Sequence, residues 1–199
     1  QPYQALRKGT IDGLDIKSST RMLVENDAIM WKVEIKNAQS TIQNIDVDLD
    51  MIGYVSQYKE GDWKWWYPYP DLSGNRTETR SQAMEDTRPH IGKTDWSLDD
   101  EILKSDHYHS NNENSTIYIH DKNTPSVSAF SVVTSPDTIR AMNCGGKASW
   151  KLDLAPGETK VIKYLMTYGD NIIEIKENVN EWSVNFDQSF ASVKSDWEK

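Results

Sequence analysis

The chain has 199 residues, with 31 acidic and 22 basic side chains and a formal net charge of −9. That charge repels phosphate backbones, which excludes nucleic acid as a partner, and no apolar run approaches the length that spans a bilayer. The single cysteine, Cys144, excludes an internal disulfide and any multi-cysteine zinc site. It lies in Asn143-Cys144-Gly145-Gly146, which reads as a turn and offers no neighbouring base to activate a thiolate.

Eight Trp and nine Tyr against three Phe make the aromatic content amphipathic, suited to binding surfaces and to β-sandwich cores alike. The chain opens at Gln1 rather than Met, from which the removal of an upstream segment, a signal peptide or other preceding sequence, is expected. Period-two alternation dominates the first 169 residues. A strand is predicted at Arg21–Glu25. In Met30–Lys36, Trp31, Val33 and Ile35 share one face and Lys32, Glu34 and Lys36 the other. Ile45–Met51 repeats the pattern with Asp46, Asp48 and Asp50 outward.

Residues 59–106 break the period. Gly61-Asp62-Trp63-Lys64-Trp65-Trp66-Tyr67-Pro68-Tyr69-Pro70-Asp71 sets five aromatics in seven positions, and Asn75 and Arg76 follow. A loop so long and so aromatic reads as an ordered, functional excursion from the sandwich. Sugars pack their C–H faces on aromatic rings and turn their hydroxyls to polar neighbours. Trp63, Trp65, Trp66, Tyr67, Tyr69 and Arg76 are therefore the candidate ligand-binding residues, with packing beneath the loop as the alternative. His107, His109, Asp106 and His120 have loose metal-ligand spacing, but the local sequence fixes no third ligand, and neither a metal nor a cofactor is assigned. Glu85, Arg88 and His90 collect acid, guanidinium and imidazole. Asn75-Arg76-Thr77 and Asn114-Ser115-Thr116 match the glycosylation acceptor pattern.

Further strands are predicted at Thr116–His120, Val127–Val133, Ser149–Leu154 and Thr159–Tyr168. Turns are expected at Glu25-Asn26-Asp27, Asn37–Ser40, Asp121–Thr124 and Ala155–Glu158. Several antiparallel strands with polar outer faces predict a mostly-β sandwich over residues 1–169. At Asp170 the period changes. Ile172, Ile175, Val179, Trp182, Phe186, Phe190, Val193 and Trp197 form one helical stripe, about 40 Å long if unbroken. Asp170 or Asn171 would cap it, and a break is expected near Asn178–Asn180. Such a stripe needs a cover. It either folds back on its own sandwich or, the expectation adopted here, links residues 170–199 to a following domain and leaves Trp197 and its neighbours incompletely buried.

Leu154-Ala155-Pro156-Gly157-Glu158-Thr159, then Tyr164–Asp170, then the Trp-ended helix, resemble the end of a known domain. Together with Trp31–Asn37 and Ile45–Gly53, they resemble the N-terminal galactose-mutarotase-like β-supersandwich that precedes an (α/α)6 barrel in many bacterial glycoside hydrolases. The resemblance implies a domain that supports or borders the barrel's active site and associates with an oligosaccharide or polysaccharide. Its implied partner is that C-terminal catalytic barrel, where the family's catalytic acids mostly lie, so no catalytic residue carries over to this chain. Two other functions stay open. One is a free-standing carbohydrate-binding module built on Trp63, Trp65 and Trp66; the other is a small mutarotase-like or hydrolytic enzyme using His107, His109 or Glu85.

Overall fold

The computed structural model describes residues 3–24, 26–52, 108–121, 124–142 and 145–198. Among them run ten strands, all paired antiparallel, followed by two helices. The strands are β1 (Ala5–Ile11), β2 (Leu14–Met22), β3 (Ala28–Asn37), β4 (Gln43–Ile52) and β5 (Tyr108–Glu113). They continue as β6 (Thr116–Asp121), β7 (Val127–Val132), β8 (Thr138–Met142), β9 (Gly145–Leu154) and β10 (Thr159–Gly169). The helices are α1 (Ile172–Val184) and α2 (Phe186–Trp197). The large sheet runs β1-β2-β3-β10-β7-β6-β5, and the small one β4-β9-β8. The fold is the expected antiparallel β-sandwich with helices at its C-terminal end.

Two apolar seams make three layers. Between the sheets lie Ile35, Met51, Ile117, Phe130, Trp150, Leu154 and Ile162, among others. Trp150 is buried with its indole N–H satisfied by the Ser135 carbonyl at 3.0 Å. On the far side of the large sheet, Met30, Tyr118, Ala129 and Leu165 meet Ile175, Val179, Trp182, Phe186, Phe190 and Val193 of the helices. Strand β7 lies under both seams, and all six of its residues are buried.

The alternation read in Ile45–Met51 holds: Met51 is buried, Ile45, Val47 and Leu49 pack on the inner core, and Asp48 pairs outside with Lys147 at 2.9 Å. It holds for β3 from Trp31 onward, where the helix-side residues Ala28 and Met30 are also buried, under the helices. The strand expected at Arg21–Glu25 is corrected: β2 ends at Met22 and begins at Leu14. Strands β1, β5 and β8 were not predicted. β1 is an edge strand exposed along its whole length, so no buried face prints an alternation there. Its turn to β2 is Asp12-Gly13, both residues with positive φ (49° and 79°), the two-residue turn that matches the twist of paired strands.

Asn37 ties the layers together at one end. Its backbone N–H donates to the Glu158 carbonyl at 2.9 Å, and its side-chain amide donates to the carbonyls of Thr41 (2.8 Å) and Leu154 (2.9 Å). Its Oδ1 accepts from the Gln39 N–H at 2.8 Å, all in a fully buried position. The turn expected at Asn37–Ser40 is thus anchored by an amide rather than left to solvent.

For the C-terminal stripe, the expected lack of cover from the sandwich and the expected position of the break are both corrected. The stripe folds back on its own sheet: Phe186, Phe190 and Val193 are all buried, and only Trp197, 49% exposed, stands out. Arg21 of β2 helps to seat it, donating to the Phe190 carbonyl and lying 4.4 Å from the Phe190 ring centroid. The break also falls elsewhere. Asn178 and Asn180 are helical, and the helix stops at Asn185 (φ −100°, ψ 23°). Breaking there lets the stripe of α2 turn to follow the twisted sheet, which a straight helix of about 40 Å would leave. Asn171, not Asp170, provides the cap, its Oδ1 accepting from the Ile173 N–H at 3.1 Å.

Two stability outcomes follow from this packing. Phe186→Ala should lower the unfolding free energy by about 3–5 kcal/mol, whereas Val184→Ala, at a 77% exposed position, should change it by about 0.5 kcal/mol or less. Asn37→Ala, which removes the partner of the buried Leu154 carbonyl together with the bonds to Thr41 and Gln39, should cost about 1–3 kcal/mol. Urea denaturation followed by tryptophan fluorescence reads both.

Candidate functional site

Trp63, Trp65, Trp66, Tyr67, Tyr69 and Arg76 lie outside the described residues, as do Glu85, Arg88, His90, Asp106, His107 and Cys144. What the described residues assemble is a polar surface on the helix side of the β5–β6 hairpin. Register pairs His109 with His120, Asn111 with Tyr118, and Glu113 with Thr116. Residues paired across a ladder share a face, and alternate residues of one strand do too, so all six project toward α1.

At the outer end the rings of His109 and His120 stack at 4.7 Å and 11°, and Nε2 of His120 lies 2.9 Å from Oδ1 of Asn111. The spacing had suggested shared metal ligation. Stacked rings with one nitrogen engaged by an amide do not converge on a common point, and no group of three or more ligand-type side chains occurs among the described residues. Burial first, then His109, then Lys176, hold the His120 imidazole below its ordinary value.

Next to it, Lys176 of α1 reaches Glu113 at 2.6 Å and lies 5.4 Å from the centre of the Tyr118 ring. The hydrogen bond to Glu113 raises the lysine's pKa, so Lys176 keeps its proton beside that side chain. Burial, followed by Glu113, pushes the Tyr118 phenol up and keeps it a neutral donor. Beyond the ion pair, three hydroxyls form a chain: Thr116 Oγ1 donates to Ser131 Oγ at 3.0 Å, which lies 3.1 Å from Ser183 Oγ. Thr116 and Ser131 are buried, while Ser183 is half-buried on α1.

These groups border a cleft of about 410 Å³ between the hairpin tip, the end of β7 and the last turns of α1. Val179, Asn180 and Val184 line its helix wall, Asn114 and Ser115 its mouth, and Val133 and Ser135 its far end. Asn114 and Ser115 hold positive φ (50° and 60°), and the Val132 N–H pins the Ser115 carbonyl at 2.9 Å. Only Asn114-Ser115-Thr116 of this group stood out in the sequence, and then as a glycosylation pattern. The rest needs β7 and α1 side by side, for which no local signal exists. A second aromatic feature lies on the large sheet: Trp31 stacks on Tyr164 at 5.0 Å, and burial pushes the Tyr164 phenol up to about 12.

No protein-family model and no curated protein matches the chain. Its fold is similar to that of solved structures. A protein described as a kojibiose phosphorylase from the human microbiome matches at a TM-score of 0.56 and 10% identity, over 98% of this chain and 23% of that one. A polysaccharide lyase matches at a TM-score of 0.46 and 12% identity, over 90% of this chain and 23% of that one. A galactose mutarotase related enzyme from Lactobacillus acidophilus matches at a TM-score of 0.41 and 10% identity, over 82% and 66%. The antiparallel β-sandwich expected from the sequence fits the match to the phosphorylase. At such identities the likeness is one of fold, and the chain spans 23% of the length of the phosphorylase.

The lowered His120 pKa has a definite consequence for stability. An unfolded histidine binds its proton near pH 6.5, and folded His120 only at lower pH. The unfolded state therefore takes up more protons as pH falls below about 6.5, and the stability that neutral His120 contributes above that pH is lost on acidification. Urea midpoints at pH 7.5 and 5.5 should show the decline, and His120→Asn should flatten it.

Proposed function

We propose that the chain is a non-catalytic, carbohydrate-associated domain of a larger glycoside-processing enzyme, bordering the active site of a following (α/α)6 barrel. The observation that carries this reading is the extent of the fold match. It takes in 98% of the chain but only 23% of the phosphorylase chain, as a domain inside a larger enzyme would. The chemistry of the cleft agrees. Glycoside hydrolysis needs two carboxyl groups flanking the scissile bond. Among the described residues Glu113 is the one carboxylate lining the cleft, and it is engaged by Lys176. A secreted or periplasmic bacterial setting goes with this reading through the family the sequence resembles.

A free-standing carbohydrate-binding module is the second reading, and one observation favours it. The helical stripe through Val193 is covered by the chain's own sheet, so its burial demands no further domain. In that case the aromatic segment Trp63–Tyr69 would form the binding platform.

The purified chain should turn over no glycoside, with or without inorganic phosphate, across aryl glycosides and natural oligosaccharides. Turnover that disappears when one acidic residue of this chain is replaced would overturn both readings.

A further inference from the structure

We propose that the cleft between the β5–β6 hairpin and α1 is a binding site for one neutral sugar unit of a glycan. The proposal rests on the carbohydrate reading above and adds a place and a ligand class to it.

Three properties of the cleft select that class. The first is charge. Glu113 and Lys176 lie 2.6 Å apart and cancel, so the cleft attracts neither an anion nor a cation on charge alone. The second is the kind of polar group. A sugar hydroxyl both donates and accepts, and its best partners are hydroxyls and amides that do the same. Ser183 ends the chain that starts at Thr116, so its hydroxyl keeps capacity for a further bond, and the amide of exposed Asn180 stands one helical turn away. The third is the wall: Val184 is 77% exposed at the rim, an apolar surface to which the C–H face of a pyranose is suited.

Size and rigidity agree. About 410 Å³ lies toward the lower end of small-molecule sites, enough for a sugar unit whose neighbours extend into solvent. The mouth is set before any ligand arrives. The left-handed pair Asn114-Ser115 closes the hairpin, and the bond from Val132 N–H to Ser115 holds its tip. A preformed mouth reduces the ordering cost of binding.

The test is a titration of the ¹⁵N-labelled chain with maltose, cellobiose, lactose and, separately, inorganic phosphate, followed by amide chemical shifts. At least one disaccharide should move the amides of residues 113–116, 131–135 and 176–184. Asn180→Trp, which fills the cleft from an exposed position on its helix wall, should weaken that binding at least tenfold. Ser183→Ala, which keeps the helix and removes one hydroxyl, should weaken it severalfold and serves if the larger substitution fails to fold. Saccharide shifts confined to other residues and unchanged in both variants would overturn the cleft while leaving the carbohydrate reading intact. So would the absence of shifts with all three disaccharides, since the wider reading falls only with the turnover described above. Phosphate moving the cleft amides more than any disaccharide would overturn the sugar class.

Discussion

The large sheet is apolar on both faces at its centre, and each face has to be covered. β7 shows the constraint most plainly. Val127 and Ala129 turn toward the helices, Phe130 and Val132 toward the small sheet, and all six of its residues are buried. Three strands cover one side and two short helices the other. Each large side chain fully buried there contributes about 1.5–3 kcal/mol, so Phe186, Phe190 and Val193 together rival the net stability of a domain. The helices are therefore part of the fold, not a tail attached to it.

Polar contacts at the margins fix how that cover sits. Lys163 of β10 meets Asp187, in the first turn of α2, at 2.6 Å, and Arg21 takes the Phe190 carbonyl one turn further on. Ser131 meets Ser183 on the other side of the seam. Exposed ion pairs of this kind add little free energy, and their part is to set position along the seam. The apolar stripe supplies the energy, and the flanking contacts choose the register.

The strands that were legible in sequence are those with one wet face. Ile45–Met51 alternates because its carboxylates point outward, and Trp31–Lys36 because Lys32 and Glu34 do. β1 and β5 are edge strands whose exposed residues print no alternation. Asp12-Gly13, whose positive φ values close the first hairpin, is a local turn signal that the strand pattern did not bring out. The helical stripe was legible in full, but its partner was not. Periodicity says that a face must be covered, not by what, and the cover proved to be Met30, Ala129 and Leu165 of the chain itself. For the site, sequence gave the alternate spacing of His109 within its strand. That His109 would face His120 across a hairpin depends on the Asn114-Ser115 turn, and the hydroxyl chain depends on strands and a helix far apart in sequence.

The cleft follows from the same constraint as the core. Helix α1 packs over β10 and β7, where the sheet is apolar, and the large sheet continues past it through β6 to β5. The helix side of those outer strands carries Thr116, Glu113 and Asn111, which need water or polar partners rather than a helix stripe. The helix has no apolar reason to extend over them, so a gap opens where Val179 and Ser183 face the hairpin. Tyr118 lies on the border, buried in the helix seam on one side and adjoining the cleft on the other. The apolar boundary of the seam is thus also the wall of the cleft. Loosening the junction of α1 and α2 at Asn185 or Phe186 would disturb the cleft's shape before the sandwich itself gave way.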